Sequence, residues 1–238
     1  MTTMNTVVRK ADDRYFANHG WLKSYHSYTF SDYYDPENMY FSYMRVLNDD
    51  FLAPATGFDL HPHREMEIVS IPLAGELEHK DSTGHTEVIV PGQIQRMSAG
   101  TGIYHSEYNA SFEKTLNFLQ LWFFPTSKDI EPSYETITYG LDNLRNALLP
   151  VVSAEPKESH TASIHQDLTL YLSKPEKGHT LTFKQNPERS TYIFVLEGQL
   201  SLNDGTVLNR RDDARITDAA DIVITSNEDS HFMLIDLP

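Results

Sequence analysis

The feature that most constrains the fold is the near absence of helical periodicity along 238 residues. Apolar residues come instead in short runs bounded by Gly, Pro, Asn and Asp: 67-EIVSIPL-73, 86-TEVIV-90, 115-TLNFLQLWFF-124, 191-TYIFVLEG-198 and 222-IVITS-226. β-Branched and aromatic residues fill the runs and turn formers separate them, which is the pattern of an all-β barrel or sandwich. One segment departs from it. In 141-LDNLRNALL-149, Leu141, Leu144 and Leu148 fall on one helical stripe and Pro150 follows, so a short helical connector is expected there.

A weak internal repeat organises the strands. Residues 71-IPLAGELEHKDSTGHTEVI-89 and 194-FVLEGQLSLNDGTVLN-209 both read as an apolar run, a glycine, an alternating strand, a turn with Asp and Gly, and a second strand. Gly75 falls opposite Gly198. One β-barrel unit used twice is the physical reading. The expected boundary lies near the helical segment, with an N-terminal domain over 1–135 and a C-terminal domain over 136–238.

Composition removes several function classes. The chain has no cysteine, so disulfides, thiolate metal sites and thiol nucleophiles are excluded. A formal charge of -15 repels phosphate backbones, which argues against direct nucleic-acid binding. No run of about 18 apolar residues occurs, so no membrane span is expected. The start, MTTMNTVVRKADDRYF, carries no apolar signal region, and a cytoplasmic location is expected. Walker loops, G-x-S-x-G and dinucleotide fingerprints are missing, against nucleotide-driven and esterase chemistry.

The chemistry concentrates in 60-LHPHREMEIV-69, where two histidines, an arginine and two glutamates precede a run that should be buried. Residues i and i+2 of a strand share a face, so His61 and His63 aim together. Pro62 between them lacks a ladder donor, which places this strand end at an edge or rim. Glu65 and Glu67 share the same parity. H-x-H alone is weak: with 11 histidines, chance gives roughly half an occurrence. A second pair, His105 and Glu107, follows the small-residue loop 98-SAGTGIYHSE-107, where backbone can approach a site closely. The two pairs offer three imidazoles and one carboxylate. Such a set suits Fe(II), Mn(II), Ni(II), Zn(II) or Cu(II) and leaves open positions on a six-coordinate ion. Equally, the spacing fits ordinary surface or core histidines. His85 and Glu87, which begin in a turn, read as solvated. Arg64 points the other way from His61 and His63 and reads as a surface or interdomain ion-pair partner.

The stretches 20-GWLKSYHSYTFSDYYDPEN-38, 45-RVLNDD-50, 57-GFDLHPHREMEIV-69, 75-GELEHKDSTG-84, 97-MSAGTGIYHSEYN-109 and 120-QLWFFP-125 closely resemble the pirin-like bicupins. They cover about half the chain, in order. The resemblance implies two cupin barrels in tandem, of jelly-roll type, with a metal, usually iron, held by the N-terminal one. Carried onto this sequence, its ligands are His61, His63, His105 and Glu107. Glu67 competes for the carboxylate position, because the general cupin pattern takes its glutamate from the first motif. The C-terminal half has no H-x-H or H-x-E, so its barrel is expected to lack a metal site. The family is associated with quercetin 2,3-dioxygenase activity on flavonols. That implies a small aromatic substrate, one divalent transition metal (Fe(II) first, with Ni, Mn, Co, Cu or Zn as alternatives) and Glu107 as the catalytic base. The competing implication is a non-enzymatic metal or redox sensor that modulates transcription or metabolic partners through protein contacts.

Overall fold

The structure is a computed structural model that describes residues 4–238. Along the chain run β1 (Asn5–Arg9), β2 (Tyr15–Asn18), β3 (Leu22–His26), β4 (Met44–Leu52), β5 (Gly57–His63), β6 (Glu67–Ala74), β7 (Leu77–Asp81) and β8 (Thr86–Ile89). β9 (Gln93–Ser98), β10 (Ile103–Asn109), β11 (Leu116–Phe123), β12 (Ser133–Thr138), β13 (Leu149–Ser153), β14 (Ala162–Ser163) and β15 (Thr169–Ser173) follow. The last are β16 (Thr180–Lys184), β17 (Ser190–Glu197), β18 (Leu200–Leu202), β19 (Val207–Leu208), β20 (Asp213–Thr217), β21 (Asp221–Ser226) and β22 (His231–Leu237). All five apolar runs read from the sequence coincide with strands, and the protein is all-β with two cupin-type domains.

The first unit comprises Tyr15–Tyr139 with Ala154–Gln166. Its large sheet has the order β12-β9-β6-β11-β4-β3-β2, and a small sheet has the order β5-β10-β7-β8. The second unit comprises the N-terminal segment through Arg14, then Gly140–Ser153 and Asp167–Pro238. There β20-β17-β22-β15-β13 repeats the arrangement of β9-β6-β11-β4-β3, and β16-β21-β18-β19 repeats that of β5-β10-β7-β8. The units therefore differ from a single cut at 135/136. Strand β1 pairs with β20 of the second unit, and residues 154–166 belong to the first.

The repeat glycines close equivalent turns. Gly75 (φ +86°) ends β6, and a Cβ there would lie 2.9 Å from the Leu116 Cα; Gly198 (φ +84°) ends β17, and a Cβ would lie 2.7 Å from the Ser230 Cα. Both positions need positive φ and the lack of a side chain. Pro72 sits inside β6, where the pairing with β11 slips between Asn117 and Phe118, so a bulge accommodates the missing donor.

The expected helix over 141–149 is corrected to a 3-10 turn, Leu141–Leu144. Arg145 turns extended (ψ 117°) and Asn146 takes φ 54°, so the coil unwinds after one turn. Leu149 and Pro150 then pair with Leu172 and Tyr171 of β15. Nine residues are too few to hold a helix against that pairing. Only Leu144 of the turn is buried, while Leu141 is exposed.

The interiors of the two units differ. The first has two apolar clusters, one around Leu22, Leu52, Leu77, Ile89, Leu116 and Phe118, the other around Ile68, Met97, Ala99 and Ile103. The same unit also buries a set of polar side chains: Ser24, His26, Asn48 and Asp50 from β3 and β4, Ser70 from β6, His105 and Glu107 from β10, and Gln120 from β11. In the second unit the strands equivalent to β5 and β10 bury Phe183, Ile222 and Ile224 in one continuous hydrocarbon core.

Candidate metal centre

Strand β5 is the end strand of its sheet, as Pro62 requires. His61 and His63 leave it on one face. Across the ladder, His61 pairs with His105 and His63 with Ile103 of β10. The three rings close on one another. Centroids are 4.8 Å apart for His61 and His63, 4.4 Å for His61 and His105, and 4.8 Å for His63 and His105. One ligand nitrogen from each lies within 4.8 Å of the others. Glu107 stands to one side. Its carboxylate groups with His105 and His79 inside the same limit, and the set containing His61 and His63 does not include it.

Hydrogen bonds orient these groups. His61 donates Nδ1–H to the Asp59 carbonyl (2.7 Å), so its Nε2 carries the lone pair. His105 is fully buried, and its Nε2 has no hydrogen-bond partner. Glu107 accepts from Gln120 Nε2 (2.6 Å) and from Ser70 Oγ (3.3 Å). Gln120 in turn accepts from Trp122 Nε1 (3.3 Å). Burial, followed by His105 and His61, pushes His63 down to about 4; burial, followed by His61 and His79, pushes His105 down to about 3. Both imidazoles are therefore neutral near pH 7. Asp50 moves the other way. Burial, reinforced by Asp49 and Glu107 and opposed by Ser24, raises its carboxyl to about 8.

A cavity of about 380 Å³ opens on this cluster. His61, His63, Glu107 and Gln120 form one side; Trp21, Phe30, Phe58 and Trp122 supply aromatic walls; Ser24, His26, Asn48 and Asp50 form a polar side. Trp21 meets Phe58 edge-on at 5.2 Å, Phe30 meets Trp122 edge-on at 5.3 Å, and His63 packs on Trp122 at 4.8 Å.

The residues fit a divalent transition ion. Three converging imidazoles, His63 and His105 neutral near pH 7 and His105 Nε2 buried without a partner, are what such an ion takes as ligands. A buried nitrogen left without any partner would otherwise cost about 1–3 kcal/mol.

The sequence-derived candidates separate here. His61, His63 and His105 converge, and Glu107 borders them. Glu67 lies elsewhere: Ser98 Oγ (2.9 Å) and the His165 N–H (3.1 Å) donate to its Oε2. Ser70, not Glu67, reaches Glu107 from β6, and residues an odd number apart on a strand face opposite ways. Glu65 follows the end of β5 with φ 51°, which breaks the parity, and it caps the Asp129 N–H instead. Arg64 is exposed and forms an ion pair with Asp129 at 3.7 Å. His85 is half-exposed in its turn.

Several site residues lie outside the H-x-H and H-x-E pairs. Asn48, Asp50, Gln120 and Trp122 alternate along β4 and β11, and a period-two reading of those strands would have paired them with the cavity. His79 is an isolated histidine in sequence, yet it lies across the ladder from Glu107.

Comparison with known proteins agrees with this architecture. A family model described as Pirin matches residues 8–123, and one described as the quercetinase C-terminal cupin domain matches residues 150–237. A protein named quercetin 2,3-dioxygenase from Escherichia coli (strain K12) is 40% identical over 231 residues, covering 97% of this chain and 98% of that protein. The chain belongs to the pirin family. A relative named pirin-like protein from Caulobacter vibrioides is 38% identical over 220 residues, covering 92% of this chain and 94% of its own. The crystal structure of the bacterial pirin YhhW from Escherichia coli in complex with nickel(II) superposes with a TM-score of 0.93 at 38% identity, covering 98% of this pirin and 99% of that chain. Among the described residues of this pirin no helix is long and apolar enough to cross a membrane.

Proposed function

We propose that this pirin is a metal-dependent dioxygenase that opens flavonol-type rings in the manner of a quercetin 2,3-dioxygenase. The observation that carries the reading is a cluster of three imidazoles, two of which, His61 and His63, line the aromatic-walled cavity of about 380 Å³. That volume lies within the range of small-molecule sites. His61, His63, His105 and Glu107 are the proposed ligands. Fe(II) is the proposed resident ion; Ni, Mn, Co, Cu and Zn suit the same donors. When bound, the ion supplies Lewis acidity toward the substrate hydroxyl and the redox partner for dioxygen.

The chain's own residues do the rest. Glu107 takes the proton of the flavonol 3-hydroxyl. Its separation from His61 and His63 leaves it loosely tied, and Gln120 and Ser70 hold its oxygens in place while the proton moves. Trp21, Phe30, Phe58 and Trp122 offer flat surfaces that orient a planar ring system and exclude water. The ring opening consumes dioxygen and releases carbon monoxide.

The test begins with metal analysis of natively expressed protein. The protein is then mixed aerobically with quercetin while the flavonol absorbance and CO release are followed. Turnover with CO release is expected. Absence of turnover with every one of Fe, Ni, Co, Mn and Cu in a stoichiometrically loaded protein would overturn the enzyme reading and return attention to sensing through protein contacts.

A further inference from the structure

His79 is buried on β7 behind His105 and takes no part in the cavity. Its Nε2 lies 2.9 Å from Asp81 Oδ2, and both side chains are fully shielded from solvent. A carboxylate only accepts, so His79 carries its proton on Nε2 and a lone pair on Nδ1. Two groups face that lone pair: Gln95 Nε2 at 3.1 Å and His105 Nδ1 at 3.5 Å. The amide nitrogen can only donate, which agrees with the same tautomer. The ring has no freedom to turn away, because it stacks on Tyr134 at 4.6 Å and 22°. Asp81 is fixed in its turn by the Thr83 N–H and hydroxyl (2.8 and 2.6 Å).

We propose that His79 and Asp81 are positioning residues for the metal centre: Asp81 sets the tautomer of His79, and His79 accepts the Nδ1–H of His105, so that His105 presents its Nε2 lone pair toward His61 and His63. The proposal rests on the metal-binding reading of this cluster but not on the identity of the substrate. It accounts for two observations together. His105 Nε2 is the buried atom without a partner, and His105 Nδ1 points at an acceptor whose own proton is pinned on the far side. It also separates His79 from the alternative grouping of His79, His105 and Glu107 as ligands. One nitrogen of His79 is committed to Asp81, and the lone pair on the other is shared between the donors from His105 and Gln95. In the opposite tautomer, His105 would oppose lone pair to lone pair with His79 at Nδ1 and bury an Nε2–H that has no acceptor.

The decisive readout is the histidine tautomer in metal-free protein, from two-bond proton–nitrogen correlations on ¹⁵N-histidine-labelled samples. Wild type is expected to show His105 as the Nδ1–H form and His79 as the Nε2–H form. His79→Phe removes the acceptor and should shift His105 toward the Nε2–H form. His79→Asn, whose Oδ1 stands near the Nδ1 position, should keep the wild-type form; it also guards against a Phe variant that fails to fold. Gln95→Leu removes the competing donor and should leave His105 unchanged. Ni(II) titrated alone is expected to bind His79→Phe about 10–100-fold more weakly than wild type, the usual effect of losing such a partner, with rescue in His79→Asn. An Nε2–H form of His105 in wild type would overturn the proposal. So would a His79→Phe protein that keeps both the Nδ1–H form and Ni(II) affinity within twofold. Failure of flavonol turnover leaves these spectra as they are, so the two readings fail separately.

Discussion

Replacing Glu107 with Gln separates proton transfer from structure. The side chains have nearly the same shape. In the native site Glu107 accepts from Gln120 Nε2 at 2.6 Å and Ser70 Oγ at 3.3 Å. In Glu107→Gln the amide oxygen can stay toward Gln120, which is itself held by Trp122, and the new NH₂ can face Ser70, whose hydroxyl rotates to accept. Both contacts survive, but they change from charge-assisted to neutral, a loss of about 1 kcal/mol each. Relief from keeping a charge buried offsets part of that loss. Unfolding of the metal-free variant in urea should therefore move by no more than about 1–2 kcal/mol. The reaction rate responds differently. A side chain that no longer accepts a proton forfeits about 10²–10⁴ in rate, or roughly 2.7–5.5 kcal/mol of barrier. The assay is quercetin consumption at fixed pH, with metal per chain measured in the same samples. A variant that folds, holds wild-type metal and turns over quercetin within tenfold of wild type would refute Glu107 as the base.

Further perturbations address the ligands, the cavity and the scaffold. His61→Ala and His105→Ala should each abolish metal retention through a desalting column, measured by elemental analysis; a variant that keeps stoichiometric metal removes that residue from the ligand set. Asp50, raised to about 8, binds a proton more tightly folded than unfolded, so its contribution to stability is full below the ordinary carboxylate range and is lost as pH rises toward 8. In metal-free protein the stability gap between wild type and Asp50→Asn should therefore change over that window, read by urea unfolding at several pH values, and a constant gap would sink the assignment. Gly75→Ala and Gly84→Ala share a left-handed backbone penalty of about 1–3 kcal/mol. Only the Gly75 variant also drives a Cβ to 2.9 Å from the Leu116 backbone, so its melting temperature should fall further.

The strands were legible because β-branched runs and turn formers make a local signal that tertiary structure did not need to override. Gly75 and Gly198 were legible as a repeat because each sits at a positive-φ turn packed against the returning strand, a demand that both units place on the same position. The helix over 141–149 was misread for a related reason. Leucines at 141, 144 and 148 satisfy a helical stripe, but Leu149 and Pro150 were wanted by the ladder with β15, and pairing outweighed a marginal one-turn propensity. At the site, H-x-H and H-x-E were visible because both members lie on one strand at the spacing that shares a face. His79, Gln120 and Ser70 were not, since each comes alone on a separate strand and only the register brings them to Glu107 and His105. Glu67 and Glu107 could not be separated by spacing, because the question is one of parity relative to a neighbouring strand.

The register also differs between the histidine-bearing strand pair and its counterpart in the repeat. Strands β16 and β21 pair without interruption from Thr180–Thr225 to Lys184–Asp221, and their inward rows hold Phe183, Ile222 and Ile224. The equivalent pair in the first unit is interrupted. His105 lies opposite His61, but two residues on, Glu107 lies opposite Phe58 rather than Asp59. An even ladder would have set Asp59 directly across from Glu107, a like-charge pair that is unfavourable on facing strands. The extra residue in β5 removes the conflict and reuses Asp59. Its carbonyl takes the His61 Nδ1–H, and its side chain accepts from the Tyr108 hydroxyl. A single bulge thus lets a carboxylate and three imidazoles share one end of a barrel. Placing H-x-H and H-x-E on β16 and β21 without that bulge would bring histidines into a hydrocarbon core on an even ladder, and the expected outcome is an unfolded second unit rather than a second metal site.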